Sequence, residues 1–196
     1  ESDPFTKVIV HGTYTTSTAN TWFEVQSSTG QICYYGNTTG ARQSYTAGNS
    51  PRIYAWYLDY VEDPLGNYMN YTYNKWSYCM YPNTIMYGNN KNGSTGLQNT
   101  VTFSYETRSN DPQLFVIEGV KGTMDRRLKT ITSKTGSSVY RVYDLQYNTT
   151  GDASGTKYSR LTSVTERNGA GDVMQPVKLN WSYLPSLYLS LIHISE

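Results

Sequence analysis

Side chains able to do covalent or redox chemistry are scarce in this 196-residue chain, which has two cysteines, Cys33 and Cys79, and two histidines, His11 and His193. No CxxC, HxxxH or HExxH spacing occurs, so a zinc ion, which takes about four N/S ligands or three and a water, has no frame. A nucleophile pair of Cys33 with His11 or His193 has no third group to orient it. The two cysteines could form one disulfide, but separate, half-buried thiols are the expected state. No catalytic residue, cofactor or metal site is expected in this stretch.

Charge is equally sparse. Only 16% of residues are charged, the formal net charge is +1, and Lys and Arg form no cluster. No bulk field draws such a chain to an acidic partner, so no nucleic acid is expected among its partners. No apolar run approaches the ~20 residues that cross a bilayer as a helix, and no direct membrane segment is expected. Apolar stripes at helical spacing and capping boxes are missing too, which argues against helices. Both ends read as the cut edges of a longer protein.

What is abundant is tyrosine, with 20 residues, beside 16 glycines and many Thr and Asn. Tyr and Thr suit a pleated, half-buried surface, and Asn and Gly suit turns. The expected fold is all-β, built of antiparallel hairpins in a repeat-like array. The chain is long enough to bury a core, and no linker divides it. One segment is expected over 1–184.

The organising stretch is WYLDYVEDPLGNYMNYTY, Trp56 to Tyr73. Two aromatic-rich runs flank Asp63-Pro64-Leu65-Gly66-Asn67, which has the composition of a turn. On the returning run Met69, Tyr71 and Tyr73 alternate with Asn70, Thr72 and Asn74, the period of a half-buried strand. Two later stretches repeat the plan, from Arg127 to Asn148 and from Arg160 to Tyr183. Each has a Leu, a β-branched residue three on and a Gly five later: Leu58/Val61/Gly66, Leu128/Ile131/Gly136 and Leu161/Val164/Gly169. Each then closes on an alternating strand bearing Tyr71 and Tyr73, Leu145 and Tyr147, or Leu179, Trp181 and Tyr183. A three-residue step breaks strict alternation, so a bulge or a strand twist is expected between the Leu and the β-branched residue.

Other stretches read more simply. Residues 5–12 are expected as a strand, 22–36 as a hairpin turned at Ser27-Ser28-Thr29-Gly30, and 37–51 as a loop. Residues 83–106 read as two strands around a polar loop. Asp111-Pro112 reads as a turn before the apolar run Leu114 to Ile117. Strands are expected near 127–133, 138–147, 158–166 and 177–184. Residues 185–196 are apolar without alternation or turn residues and resemble translated adapter-like DNA. They are expected to be a non-native tail.

The order W-x-L-x-x-V-x-D-x-x-G-N-x-x-x-Y-x-Y, from Trp56 to Tyr73, resembles the SpvB-type N-terminal region of the B components of insecticidal toxin complexes. I-x-Y-G at 85–88, V-x-F-x-Y-E-x-R with Asp111 at 101–111, RL-x-x-I at 127–131 and V-Y-D-L-Q-Y at 142–147 agree. S-R-L-x-S-V-x-E at 159–166, Pro176 and Trp181 follow in the same order. The run Arg160 to Glu166 also resembles a unit of the wider RHS/YD-repeat toxins. The resemblance covers roughly residues 20–184. It implies a structural segment of a secreted bacterial toxin's β shell, which encloses and helps deliver a C-terminal toxic cargo. Catalysis, where present, would belong to other segments. The implied partners are other parts of the same shell, the encapsulated cargo and other toxin-complex subunits. Trp56, Leu58, Val61, Asp63, Gly66, Asn67, Tyr71, Tyr73, Leu128, Ile131, Tyr147, Leu161, Val164 and Trp181 are then structural. The tyrosines at 71, 73, 105, 147 and 183 are expected to form continuous ladders across strands.

Rival readings use the same residues. Asp59, Glu62, Asp63, Glu106 and Glu118 supply carboxylates for glycoside hydrolysis, but nothing in the spacing selects a pair. Asn89 to Gly93 and Asp152 supply oxygens for calcium without the D-x-D-x-D-G spacing. Exposed Tyr and Trp suit stacking on sugars, which makes a secreted β-sandwich for carbohydrate binding or surface adhesion the main alternative.

Overall fold

The computed structural model describes residues 6–13, 19–47, 50–93, 96, 98–117, 119–148 and 158–181. The fold begins with β1 (Lys7–His11), β2 (Trp22–Gln26) and β3 (Ile32–Tyr35). A hairpin of β4 (Arg42–Ala47) and β5 (Ser50–Trp56) leaves the main path before β6 (Leu58–Glu62), β7 (Asn67–Trp76), β8 (Cys79–Asn90) and β9 (Asn99–Thr107). A second excursion, β10 (Gln113–Ile117) and β11 (Val120–Met124), precedes β12 (Arg126–Thr135), β13 (Ser138–Asn148), β14 (Arg160–Asn168) and β15 (Val177–Lys178).

Without the two excursions the path is a plain meander. Eleven strands pair in the order β1-β2-β3-β6-β7-β8-β9-β12-β13-β14-β15, while β4-β5 and β10-β11 are separate two-stranded sheets. Each neighbour in the main sheet is antiparallel. The fold is all-β, as the composition indicates.

Residues directly opposite across a pair share a face, so the register sorts the two faces. One carries Val25, Cys33, Val61 and Met69 in a row, then Tyr71, Ile85 and Val101, then Phe103, Ile131 and Tyr143, and last Leu145, Val164 and Val177. The other carries Thr72, Thr84, Thr102 and Thr132 in register. The sheet is thus apolar on one side and hydroxyl-rich on the other, the pattern of an antiparallel sheet with one side meant for packing.

Burial concentrates where the excursions fold back. Among the described residues the buried hydrophobics are Ala41, Ile53, Cys79 and Tyr81. The β7–β8 hairpin turns through Ser77 and Tyr78 at φ 48° and 62°, the left-handed pair of a two-residue hairpin turn. The Tyr78 carbonyl accepts from Gln43 Nε2 at 2.7 Å and from the Tyr54 hydroxyl at 3.0 Å. Thr123 N donates to the Ser77 carbonyl at 3.1 Å. Both excursions therefore grip one hairpin tip.

Three expectations are corrected. Residues 37–51 are not a loop: they hold a short 3-10 turn, Thr39–Ala41, and β4, with β5 entered at Ser50. Their Asn, Gly and Ser content suggests turns, but Ala41 and Gln43 are each 1% exposed, and burial of that kind comes from tertiary contact. Trp56 ends β5 and does not open the central hairpin, whose first strand begins at Leu58. Of the described residues in the strand expected at 177–184, β15 covers only Val177–Lys178. Tyr183, Asp152, Glu118, His193 and the tail at 185–196 lie outside the described residues.

Candidate functional site

The repeated feature begins with the bulges, each where the broken alternation places it. Tyr35 pairs with Leu58 and Tyr34 with Tyr60, leaving Asp59 extra. Tyr105 pairs with Leu128 and Ser104 with Thr130, leaving Lys129 extra. Tyr147 pairs with Leu161 and Gln146 with Ser163, leaving Thr162 extra.

At each of these bulges an aromatic side chain donates to the Leu carbonyl, from the next strand in the first two and from just beyond β15 in the third. The Tyr73 hydroxyl reaches Leu58 O at 2.6 Å, the Tyr147 hydroxyl reaches Leu128 O at 2.7 Å, and Trp181 Nε1 reaches Leu161 O at 2.7 Å. A bulge interrupts the ladder, and a buried carbonyl needs a donor; the aromatic closes the gap like a clasp. A fourth example lies outside the three repeats, where the Tyr105 hydroxyl donates to Pro82 O at 2.8 Å beside the extra residue Asn83.

The surroundings tune each clasp. Burial, reinforced by the Asp59 charge, pushes the Tyr73 phenol up to about 12, and the Tyr57 ring leans on it at 5.2 Å. Burial also raises the Tyr147 phenol, against the opposing charge of Arg127, whose guanidinium sits 4.8 Å from the ring centre. Trp181 is 56% exposed. Asp59 is buried and accepts from Thr38 N at 2.5 Å, which ties the bulge to the chain entering the β4–β5 excursion.

The turns repeat as well. Asp63 N donates to Asn67 O at 2.9 Å and Gly66 N to Asp63 O at 2.9 Å; Asn168 N donates to Asp172 O at 3.0 Å and Gly171 N to Asn168 O at 3.1 Å. In both, the side chain of the first residue caps the turn. Asp63 Oδ1 accepts from Leu65 N and Asn67 N, and Asn168 Oδ1 accepts from Ala170 N and Asp172 N. The amide–carboxylate pair is kept with roles exchanged, as Asn67 Nδ2 donates to Asp63 and Asn168 Nδ2 to Asp172, each at 2.8 Å. Those donors hold the Asp63 carboxyl below its ordinary value, the Asn67 side chain foremost. The glycine matching Gly66 (φ 83°) is therefore Gly171 (φ 95°), not the expected Gly169. Only a residue free to take positive φ suits that position.

The remaining motif residues fall in two places. Val61, Tyr71, Ile131 and Val164 line the apolar face. Trp56 donates from Nε1 to Thr21 O at 2.6 Å, meets Phe23 edge-on at 5.0 Å, and fills the space beside Gly36 that a Cβ would need. The expected ladder of Tyr71, Tyr73, Tyr105 and Tyr147 is corrected: among the described residues no ring contact joins these four, and three of them serve separate bulges. A continuous ladder does exist on the opposite face. His11, Trp22, Tyr34, Tyr60 and Tyr68 follow one another at centroid spacings of 3.9, 5.2, 4.9 and 5.6 Å.

One cluster went unassigned from sequence, although its members stand in the quoted motif. Asp111 is buried and accepts from Arg108 Nη2 at 2.7 Å, from Ser159 N at 2.5 Å and from Ser159 Oγ at 2.6 Å. Arg127 joins Ser159 Oγ at 2.7 Å to Glu106 at 2.6 Å. The Arg108 guanidinium and the two Ser159 donors hold the Asp111 carboxyl well below its usual range. This pin fastens the end of β9 to the entrance of β14. The signal was E-x-R with a following Asp, but its partner Ser159 lies 48 residues on.

The other candidate groups are engaged locally. Glu62 pairs with Lys91 and accepts from the Tyr60 hydroxyl at 2.7 Å. His11 gives its Nε2 to Glu24 at 2.9 Å. Burial raises the Cys33 thiol, away from the thiolate a nucleophile needs, and both cysteines are free. Asn89 and Asn90 direct their amides to the Tyr68 hydroxyl and Leu65 O. They rim a cleft of about 570 Å3 floored by Val61, Met69 and Tyr87. Among the described residues no three His, Cys, Asp or Glu side chains gather around a metal-sized space, and no helix is long and apolar enough to cross a membrane.

A meander in which the same aromatic clasp recurs at four bulges defines an all-β segment. The model of the SpvB family, the Salmonella virulence plasmid 65kDa B protein, matches residues 5–120, and the chain belongs to that family. Its fold is shared with the N-terminal domain of the effector protein SpvB from Salmonella typhimurium strain LT2, at TM-score 0.64 and 14% identity over 85% of this chain and 66% of that one. It is shared also with a chain of the TcdB2-TccC3-Cdc42 crystal structure, at TM-score 0.69 and 14% identity over 95% of this chain and 11% of that one. The Tc holotoxin pore of Photorhabdus luminescens gives TM-score 0.69 and 15% identity, over 90% and 11%. This chain thus spans 66% of the SpvB domain and 11% of the two Tc toxin chains. The comparison with curated proteins finds no match.

Proposed function

We propose that this chain is a structural segment of a secreted bacterial toxin's β shell, which encapsulates and helps deliver a C-terminal toxic cargo, with no catalysis in this segment. The observation that carries the reading is the clasp recurring at three bulges along one antiparallel meander. A repeat whose strands cannot bury their own face gains stability only when stacked on its neighbours. The clasps let the sheet kink at set intervals without leaving a backbone carbonyl unpaired, which a curved wall requires. Its partners are the rest of the shell, the cargo and other toxin-complex subunits.

A stand-alone carbohydrate module has less support. Stacking on a sugar needs a ring face turned to solvent, whereas the ladder from His11 to Tyr68 includes stacked pairs that spend those faces on one another. The test is to recover the reading frame on both sides. Further YD-type strands followed by a variable C-terminal domain support the shell. A leader just before Glu1 and a stop soon after Tyr183 would overturn it in favour of a secreted binding module.

A further inference from the structure

The two excursions and the tip of the β7–β8 hairpin border a cleft of about 380 Å3 that the shell role leaves unused. Its walls carry the rings of Tyr54, Tyr57, Tyr78 and Phe115 and the thioethers of Met80 and Met124, and among the described residues no charged side chain lines it. Gln43 lines it as well, and its amide is only half engaged. Nε2 donates to Tyr78 O at 2.7 Å, whereas Oε1 has no partner among the described residues, although Gln43 is 1% exposed. An acceptor shut away from water without a donor is destabilising, and in a native structure it calls for an explanation. Burial pushes the Tyr81 phenol, in the same wall, up to about 12, so it stays an O–H at neutral pH. The larger cleft beside Asn89 and Asn90 has no such orphan among the described residues, since the amides there are engaged.

We propose that this cleft binds a small, neutral aromatic molecule with one hydrogen-bond donor, of the indole class, whose N–H bonds Gln43 Oε1. Each property of the ligand answers a property of the wall. Aromatic rings and thioethers favour an aromatic body. The unpartnered amide oxygen takes a donor and would repel a carboxylate. A full positive charge would enter without a free counter-ion. The Asp125 carboxylate, whose field reaches Cys79 and Tyr81, is already paired with Arg126 at 3.6 Å, and an unpaired charge is costly to desolvate. The volume suits a small molecule. Oε1 is covered by the lining, so entry takes a side-chain movement, which the unbranched, adaptable Met80 and Met124 supply. The site stands whether or not the chain forms part of a shell.

The test uses the 196-residue chain with its five methionines carbon-13 labelled at the methyl group and titrated with indole. Saturable shifts are expected at Met80 and Met124, and none at Met69, which borders the other cleft. Indene, with the same shape and no N–H, should bind about fivefold more weakly or worse. Gln43→Met removes the acceptor and should bring indole down to the affinity of indene. Ile117→Trp, at the partly exposed rim, should fill the cleft and abolish binding of both. Should Gln43→Met fail to fold, the comparison of indole with indene and Ile117→Trp still decide the matter. Silence at Met80 and Met124, equal affinity for indole and indene, or shifts at Met69 alone overturn the proposal. So does tighter binding of tryptamine than of indole, since the site would then select a cation. Shifts given by N-acetyltryptophanamide but not by indole also overturn it, because the occupant is then a tryptophan side chain of a polypeptide.

Discussion

The two halves of the sheet use the same clasp in unequal surroundings. At the Leu58 bulge, Tyr73 is half-buried, Asp59 is buried, and the β4–β5 excursion brings Ala41 and Ile53 under cover nearby. At the Leu161 bulge, Trp181 makes the same bond while 56% exposed, and Met174 and Val177 beside it are 56% and 66% exposed. The local device is therefore independent of the cover laid over it. Its geometry follows from a broken alternation and an aromatic on the segment that runs alongside. Its contribution to stability depends on how far water is excluded.

That contrast gives a ranked set of tests. The largest effect is expected in the less covered half, at the buried Arg108–Asp111 pair. Asp111→Ala leaves Arg108 and both Ser159 donors unpaired and should cost about 3–5 kcal/mol by urea unfolding. The same group fixes the acid limit. Its folded pKa is depressed, so its contribution is complete above the ordinary value of 3.8 and is lost as pH falls from there toward the folded value. Wild type should thus lose stability below about pH 4, and Asp111→Asn should lose less over that range.

Next in size is the pair of tryptophans. Trp56→Ala should cost about 3 kcal/mol, since it empties the space beside Gly36. Trp181→Ala should cost about 1 kcal/mol or less, because little apolar area is withdrawn from water. Equal costs would show that cover does not grade the repeats.

Tyr73→Phe and Tyr147→Phe remove only the hydroxyl and should cost about 1–3 kcal/mol each by orphaning a Leu carbonyl. The smallest expected effect is alkaline. The Tyr73 phenol is raised from 10.0 to about 12 on folding, so its contribution is full below 10 and declines as pH rises through 12. The stability gap between wild type and Tyr73→Phe should close over that window. An indole does not titrate there, so the gap between wild type and Trp181→Phe should stay constant.

The legible and illegible parts of the sequence divide along the same line. The bulges were readable because a Leu and a β-branched residue three apart cannot both hold one face of an unbroken strand. The all-β fold was readable from tyrosine and threonine. The clasps were not, since Tyr73 and Leu58 meet only when neighbouring strands take one register. The third turn was misassigned because Asn168-Gly169-Ala170-Gly171-Asp172 offers two glycines, and only the hydrogen bonds of Asn168 choose Gly171. Residues 37–51 failed for a different reason: Gln43 is buried by the tip of a hairpin 35 residues away, a contact with no local signature.

The most direct test of the enclosing role is protease sensitivity of the cargo in the purified full-length parent. The account predicts a cargo that resists cleavage in the wild type and becomes accessible when Tyr73→Ala and Tyr147→Ala are combined. A cargo cut equally fast in both proteins would contradict it.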